Sequence, residues 1–221
     1  MITFNFNYLN NKVYNLKSIQ YTQDCPWCEK KTVEEILYVP TGKFLKILVL
    51  GYNHLAADAL WLKAIGYFGT HSISDHIYTW LYHILDIITT LDPEFTHPYT
   101  FGGIILPLEG DDVENGNKLL LKGMKNHPDS WKFPYYLAFN YWYYLDNPKI
   151  ATDYMARAVR CPRHPPHLER LLAILYNKSG EKETALSLLR HFYNSTDDPE
   201  LKRIIEERMK KMIEGFYDPK K

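Results

Sequence analysis

Residues 131–162 read WKFPYYLAFNYWYYLDNPKIATDYMARAVRCP, and residues 167–192 read HLERLLAILYNKSGEKETALSLLRHF. In the first stretch Leu137-Ala138 is followed by Tyr141, then by Ala151 and Ala158. In the second, Leu172-Ala173 is followed by Tyr176, then by Gly180, Ala185 and Leu189. Ala138 and Ala173 stand 35 residues apart, Ala151 and Ala185 34 apart. A small residue recurring at that interval lets two antiparallel helices approach closely and lets each hairpin stack on the next. Two helical hairpins in tandem are the reading these stretches support.

Working towards the start of the chain, the same period continues in weaker form. Phe95 to Pro128 holds Tyr99, Gly102-Gly103 and Leu106 on a first helix weakened by the paired glycines and Pro107. Gly116, Leu120 and Gly123 follow on its second helix, where glycine preserves close contact at some cost in helix propensity. Before that, Phe44 to His71 reads as one or two helices, with Trp61, Ala64-Ile65 and Phe68 in approximate register. Gly69-Thr70-His71-Ser72 reads as a loop, and Asp75 to Leu91 as a strongly apolar helix ended by Asp92-Pro93. Residues 1–43 carry little of the pattern and read as an irregular arm: FNFNYLNNKVYNL alternates, and Thr32 with Glu35 looks like a helix start. Towards the other end, Asp198-Pro199-Glu200 opens a helix with Leu201, Ile204-Ile205, Met209 and Met212-Ile213 on one face. Charges cover its other face, the profile of a cap closing the last repeat.

The whole pattern resembles the tetratricopeptide repeat. The resemblance implies an all-α fold, a right-handed superhelical array of about four helix-turn-helix repeats. Residues 1–43 would form the arm, 44–196 the repeat domain, and 197–221 the capping helix and tail. It also implies protein or peptide binding by the first helices of successive repeats. Carried onto this sequence, the groove positions are Lys132, Tyr135, Phe139, Trp142 and Tyr143 in one repeat. In the next they are His167, Arg170, Ile174, Asn177 and Lys178. Some members clamp a partner's terminal carboxylate with Lys and Asn; Tyr135 and Phe139 stand where polar clamp residues are expected, which speaks against that specialisation.

Composition supports the class. Hydrophobic residues make up 46% of 221, ample for a core, while 26 basic and 26 acidic residues cancel. A neutral chain sets up no overall field for nucleic acid or anionic lipid. The most apolar run, Phe44 to Tyr52, is too short to span a bilayer and contains Lys46. The first residues lack a basic region followed by an apolar core. As it stands the chain reads as soluble and cytoplasmic; an upstream segment missing from it would make it anchored or exported instead.

Aromatics are heavy at 15%, and Trp131 to Tyr144 packs nine of them into fourteen residues. One helix face buries three or four rings against its hairpin partner, so the rest cover a neighbouring repeat, the chain's own arm, or a ligand. An aromatic groove edged by Lys132, Arg170 and Lys178 suits a peptide with apolar anchors and a carboxylate or two.

Three cysteines leave no room for a disulfide framework. Cys25-Pro26-Trp27-Cys28 fits a thiol-redox site or half of a tetrahedral zinc site, with Cys161 and His164 supplying the other half. No βαβ pattern surrounds the motif, and a pair of idle thiols beside a proline-rich turn accounts for the same residues. His76 and His83, seven apart, read as one face of a helix. Phosphate loops, HExxH and GxSxG are absent from the sequence. The expectation is a non-catalytic scaffold or adaptor with no cofactor, as in an assembly factor of a bacterial complex. The alternatives are a thiol-redox or zinc-dependent protein and a structural subunit buried in a larger complex.

Overall fold

A computed structural model describes residues 40–214. Over that range the fold is all-α: ten helices, with no strand among the described residues. Helix α1 (Gly42–Leu48) is short and leads into α2 (Asn53–Ser72) and α3 (Leu81–Leu91). Then come α4 (Thr96–Glu109) with α5 (Val113–Asn126), α6 (Lys132–Tyr143) with α7 (Pro148–Arg160), and α8 (His167–Lys178) with α9 (Lys182–Ser195). Helix α10 (Pro199–Ile213) follows last. From α3 onward each helix packs on the one before it, α1 packs on α3, α4 also packs on α6 and α3 on α5, so the chain forms a stack of hairpins in sequence order.

The hairpin turns share one conformation. His76, Asp111, Asp146 and Gly180 all have positive φ, between 45° and 90°, and stand 35, 35 and 34 residues apart. Three turns close with a bond back to the preceding helix, six residues back in two and five in the third: Asp112 N to Leu106 O at 2.9 Å, Asn147 N to Tyr141 O at 2.8 Å, and Glu181 N to Tyr176 O at 2.8 Å. Glycine enters this left-handed region freely, and Asp, Asn and His tolerate it better than most side chains. After the Asp111 and Asp146 turns the following helix is started by a polar cap: Asp112 accepts from Asn115 N and Asn147 from Ile150 N, with Pro148 in the first helical turn. Asp198 and Pro199 repeat the device at α10.

Small residues sit where the helices cross. Ala138, Ala151, Ala158, Ala173 and Ala185 are wholly buried. The glycines of the preceding hairpin stand in the same places. A Cβ on Gly116 would lie 2.8 Å from the ring of Pro107, and one on Gly123 2.7 Å from Phe133. Pro107 lies inside α4 and has no N–H, so the carbonyl of Gly103 loses its ordinary helical donor. The Asn140 amide of α6 takes that place, donating to Gly103 O at 3.1 Å and to Asn117 Oδ1 at 2.8 Å, all buried. A second cross-helix tie joins α3 and α5. Lys122 Nζ lies 2.6 Å from Asp86 Oδ1 and within 2.9 Å of Asp86 O, Thr89 Oγ1 and Thr90 Oγ1.

Three readings of the first hairpin are corrected. Gly69 to Ser72 is helical rather than a loop. The helix read from Asp75 begins only at Leu81. Asp75 is the reason: its Oδ1 accepts from Ile77 N at 3.1 Å and from His71 Nδ1 at 2.7 Å, and this local closure competes with helix. His76 therefore occupies the left-handed turn position, and only His83 is on α3.

At the other end, α10 buries Ile205 and Met212 in a cluster with Ala173, Ala185, Leu189 and Phe192. Ile213, read as part of that face, is exposed. No helix among the described residues is long and apolar enough to cross a membrane.

Candidate functional site

The aromatic run of α6 divides between core and surface by helical position. Phe133 is buried, in edge contact with Tyr99 of α4 at 5.8 Å and stacked on His127. Tyr141 stacks on Tyr154 of α7 at 5.4 Å. Tyr135 is half-buried between Trp131 and Tyr136, and burial pushes its phenol pKa up. Phe133 and Tyr141 hold α6 against its neighbours, while Tyr135, like Trp142, is half-buried and packs against the core cluster of α6, α7 and α8.

Phe139, Trp142 and Tyr143 recur at the i, i+3, i+4 spacing that puts side chains on one face. Phe139 is 37% exposed and Tyr143 66%. Their rings stack at 5.4 Å with 11° between planes. Trp142 meets Phe139 edge-on at 6.4 Å, and Tyr144 meets Tyr143 edge-on at 4.9 Å. Lys178, at the end of α8, places Nζ 4.6 Å from the Trp142 ring centroid. Four residues expected from the sequence are thus brought together: Phe139, Trp142, Tyr143 and Lys178. Tyr144 joins them, missed because the resemblance assigns it no groove position.

The remaining expected residues spread along the same helices. Lys132 and His167 are exposed at the starts of α6 and α8, ten residues from Trp142 and Asn177 respectively, about 15 Å along each axis. Arg170, Ile174 and Asn177 are half-buried on α8. Lys132, His167 and Arg170 thus stand near the starts of α6 and α8, and the aromatic group with Lys178 at their ends.

Cys161 and His164 lie in the α7–α8 connection. The Cys161 thiol is buried, points at the carbonyls of Arg157 and Pro128, and has its pKa raised by burial. His164 presents Nδ1 to Cys161 O at 3.0 Å and Nε2 to Glu169 Oε1 at 3.1 Å, so both ring nitrogens face acceptors. Cys25 and Cys28 lie outside the described residues, as does the alternating stretch near the start of the chain. Among the described residues, no group of three or more His, Cys, Asp and Glu is placed to hold a metal.

A shallow hollow of about 330 Å³ lies between α5 and α6, lined by Glu114, Asn117, Lys118, Leu121, Tyr141 and Leu145. Its two charges pair with each other at 2.8 Å, which leaves it a packing feature of the α5–α6 surface.

No protein-family model, curated protein or solved structure matches the chain. The functional reading therefore rests on the residues themselves.

Proposed function

We propose that this chain is a non-catalytic binding scaffold of the tetratricopeptide type, its hairpins coiling into a right-handed superhelix. On this reading the first helices α6 and α8 line the groove, and a protein or peptide segment lies across them. The observation that carries the reading is the exposed Phe139–Tyr143 stack, continued by Trp142 to Lys178 of the next hairpin. Rings already ordered by mutual stacking give a partner's apolar side chain a large contact area at little further loss of rotamer freedom. Lys178 keeps donors free to meet a carboxylate while its charge rests on the Trp142 face, a contact of about 0.5–1 kcal/mol. The Lys132–Arg170 end would receive a second acidic residue of the same ligand. The 34- and 35-residue recurrence of the left-handed turn supports the repeat architecture on which this depends.

The test is a pull-down from the organism's own extract with tagged wild type and with Phe139→Ala/Tyr143→Ala. A partner retained by the wild type and lost from the variant supports the groove. Equal retention on both places the interface elsewhere.

A further inference from the structure

Arginine is the rarer cation of this chain, with 7 residues against 19 lysines, and none precedes position 157. Four of the 7 then fall within fourteen residues: Arg157 and Arg160 in the last turn of α7, Arg163 in the α7–α8 connection, and Arg170 on α8. The backbone does not account for that choice. The last turn of a helix gains from any positive charge, and lysine supplies one equally well. Arg163 stands at φ 58°, in the left-handed region where glycine or asparagine is the easier residue. What arginine adds over lysine is a planar fork of donors that grips a carboxylate or phosphate through two bonds at once.

Nothing in the fold uses these forks. Arg157, Arg160 and Arg163 are exposed. Among the described residues none of the four arginines forms an ion pair, not even Arg157 with Asp153 one turn earlier, whereas Arg203 bridges Glu200 at 2.6 Å and Glu207 at 2.8 Å. Glu169, the one carboxylate between 157 and 170, faces His164 at 3.1 Å. The Cys161 thiol meets Pro128 O at 3.8 Å and brings the α5–α6 connection alongside, where Asp129 and Lys132 cancel in charge. Four positive charges thus stand against one partnered carboxylate in a chain that is neutral overall. The corner is also held in shape. Pro162, Pro165 and Pro166 fix its backbone, His164 Nδ1 lies 3.0 Å from Cys161 O, and Leu168 N donates to Pro165 O at 3.0 Å. A frame already ordered leaves less entropy to be lost when a ligand docks.

What lies beside the charges selects among anionic partners. Single-stranded nucleic acid is held where basic residues alternate with aromatic faces on which bases stack, and no Phe, Tyr or Trp occurs between positions 157 and 170. A bilayer surface is met by basic residues next to exposed apolar ones, and no large hydrophobic residue of this stretch is exposed. A protein segment rich in Asp and Glu needs neither stacking nor insertion, and its carboxylates match the guanidinium forks.

We propose that the corner formed by Arg157, Arg160 and Arg163 docks an acidic segment of a partner protein, a run of Asp and Glu held by guanidinium–carboxylate pairs. Arg157 and Arg160 lie on α7 and Arg163 beyond its end, outside the groove helices α6 and α8, so the inference does not depend on that groove. The test is fluorescence anisotropy of a labelled octaglutamate peptide at low ionic strength, with the full chain as wild type and as two variants. One is Arg157→Gln/Arg160→Gln/Arg163→Gln. The other, Lys149→Gln/Lys210→Gln/Lys211→Gln, removes the same charge from positions elsewhere. All six side chains are exposed, so both variants should keep the wild-type circular dichroism. Affinity should fall about tenfold in the arginine variant and less than about twofold in the lysine variant. Equal losses in the two variants, or no binding by wild type, overturn the proposal. So does tighter binding of a labelled oligouridylate of equal charge, which would give the corner to nucleic acid. Self-association of wild type in sedimentation, abolished in the arginine variant, would give it to a second copy of this chain and overturn the proposal as well.

Discussion

Asn140 donates its side-chain N–H to the carbonyl of Gly103 at 3.1 Å, and Gly103 is the residue whose helical partner would have been the missing N–H of Pro107. A side chain on one hairpin thus repairs a backbone defect in the hairpin before it. The repair also holds the two first helices α4 and α6 in register.

The pair should show thermodynamic coupling. Asn140→Ala leaves the Gly103 carbonyl and the Asn117 amide oxygen buried without that donor, and should cost about 1–3 kcal/mol. In a Pro107→Ala background the backbone N–H returns, and the same Asn140→Ala change should cost measurably less. Urea unfolding of the four proteins of this cycle measures it. Additive losses would show that the two residues act independently.

Small residues at the crossings should resist enlargement even where helix propensity favours it. Gly123→Ala brings a Cβ to 2.7 Å from the buried ring of Phe133 and should destabilise. Ala173→Trp, at a wholly buried site, should unfold the α8–α9 hairpin by overpacking. Thermal melts read both, and wild-type stability in Ala173→Trp would sink the register of the last hairpin.

Much of this was legible beforehand because periodic small residues and turn residues leave a linear trace. The Ala138/Ala173 interval, the Asp198-Pro199 start and the apolar face of α10 follow from spacing and capping chemistry. Asn140 was not legible, since a single polar residue amid aromatics has no period and its partner is set 37 positions away. The late start of α3 escaped because Asp75 competes through hydrogen bonds that hydropathy does not register. At the candidate site, helical spacing grouped Phe139, Trp142 and Tyr143. It did not show that Tyr135 would meet Trp131 and Tyr136 rather than this group.

Tyr78→Phe should be neutral or slightly stabilising. The Tyr78 hydroxyl is buried without a hydrogen-bond partner among the described residues, so removing it relieves a desolvated polar group while the ring contacts with Phe68 remain. A loss above about 1 kcal/mol in chemical denaturation would reveal a bond to that hydroxyl.

The His164 contact sets a pH dependence. Its hydrogen bond to Glu169, with the Cys161 carbonyl also accepting, holds the imidazole pKa above the ordinary 6.5. A raised folded-state pKa gives stabilisation that is complete below the unfolded value and lost as pH rises through the folded one. Wild type should therefore exceed Glu169→Gln in melting temperature most clearly at about pH 6 and lose that margin by about pH 9. A margin constant across this range would contradict the ion pair.

The most direct test of the central claim is a displayed random-peptide library panned in parallel on wild type and on Phe139→Ala/Tyr143→Ala, both full-length. The two side chains are exposed, so the double variant should stay folded, with stability within about 1 kcal/mol of wild type. The account predicts that wild type enriches peptides with apolar anchors and acidic residues and that the folded variant does not. Equal enrichment on both proteins, or none on wild type, would contradict a binding groove at α6 and α8.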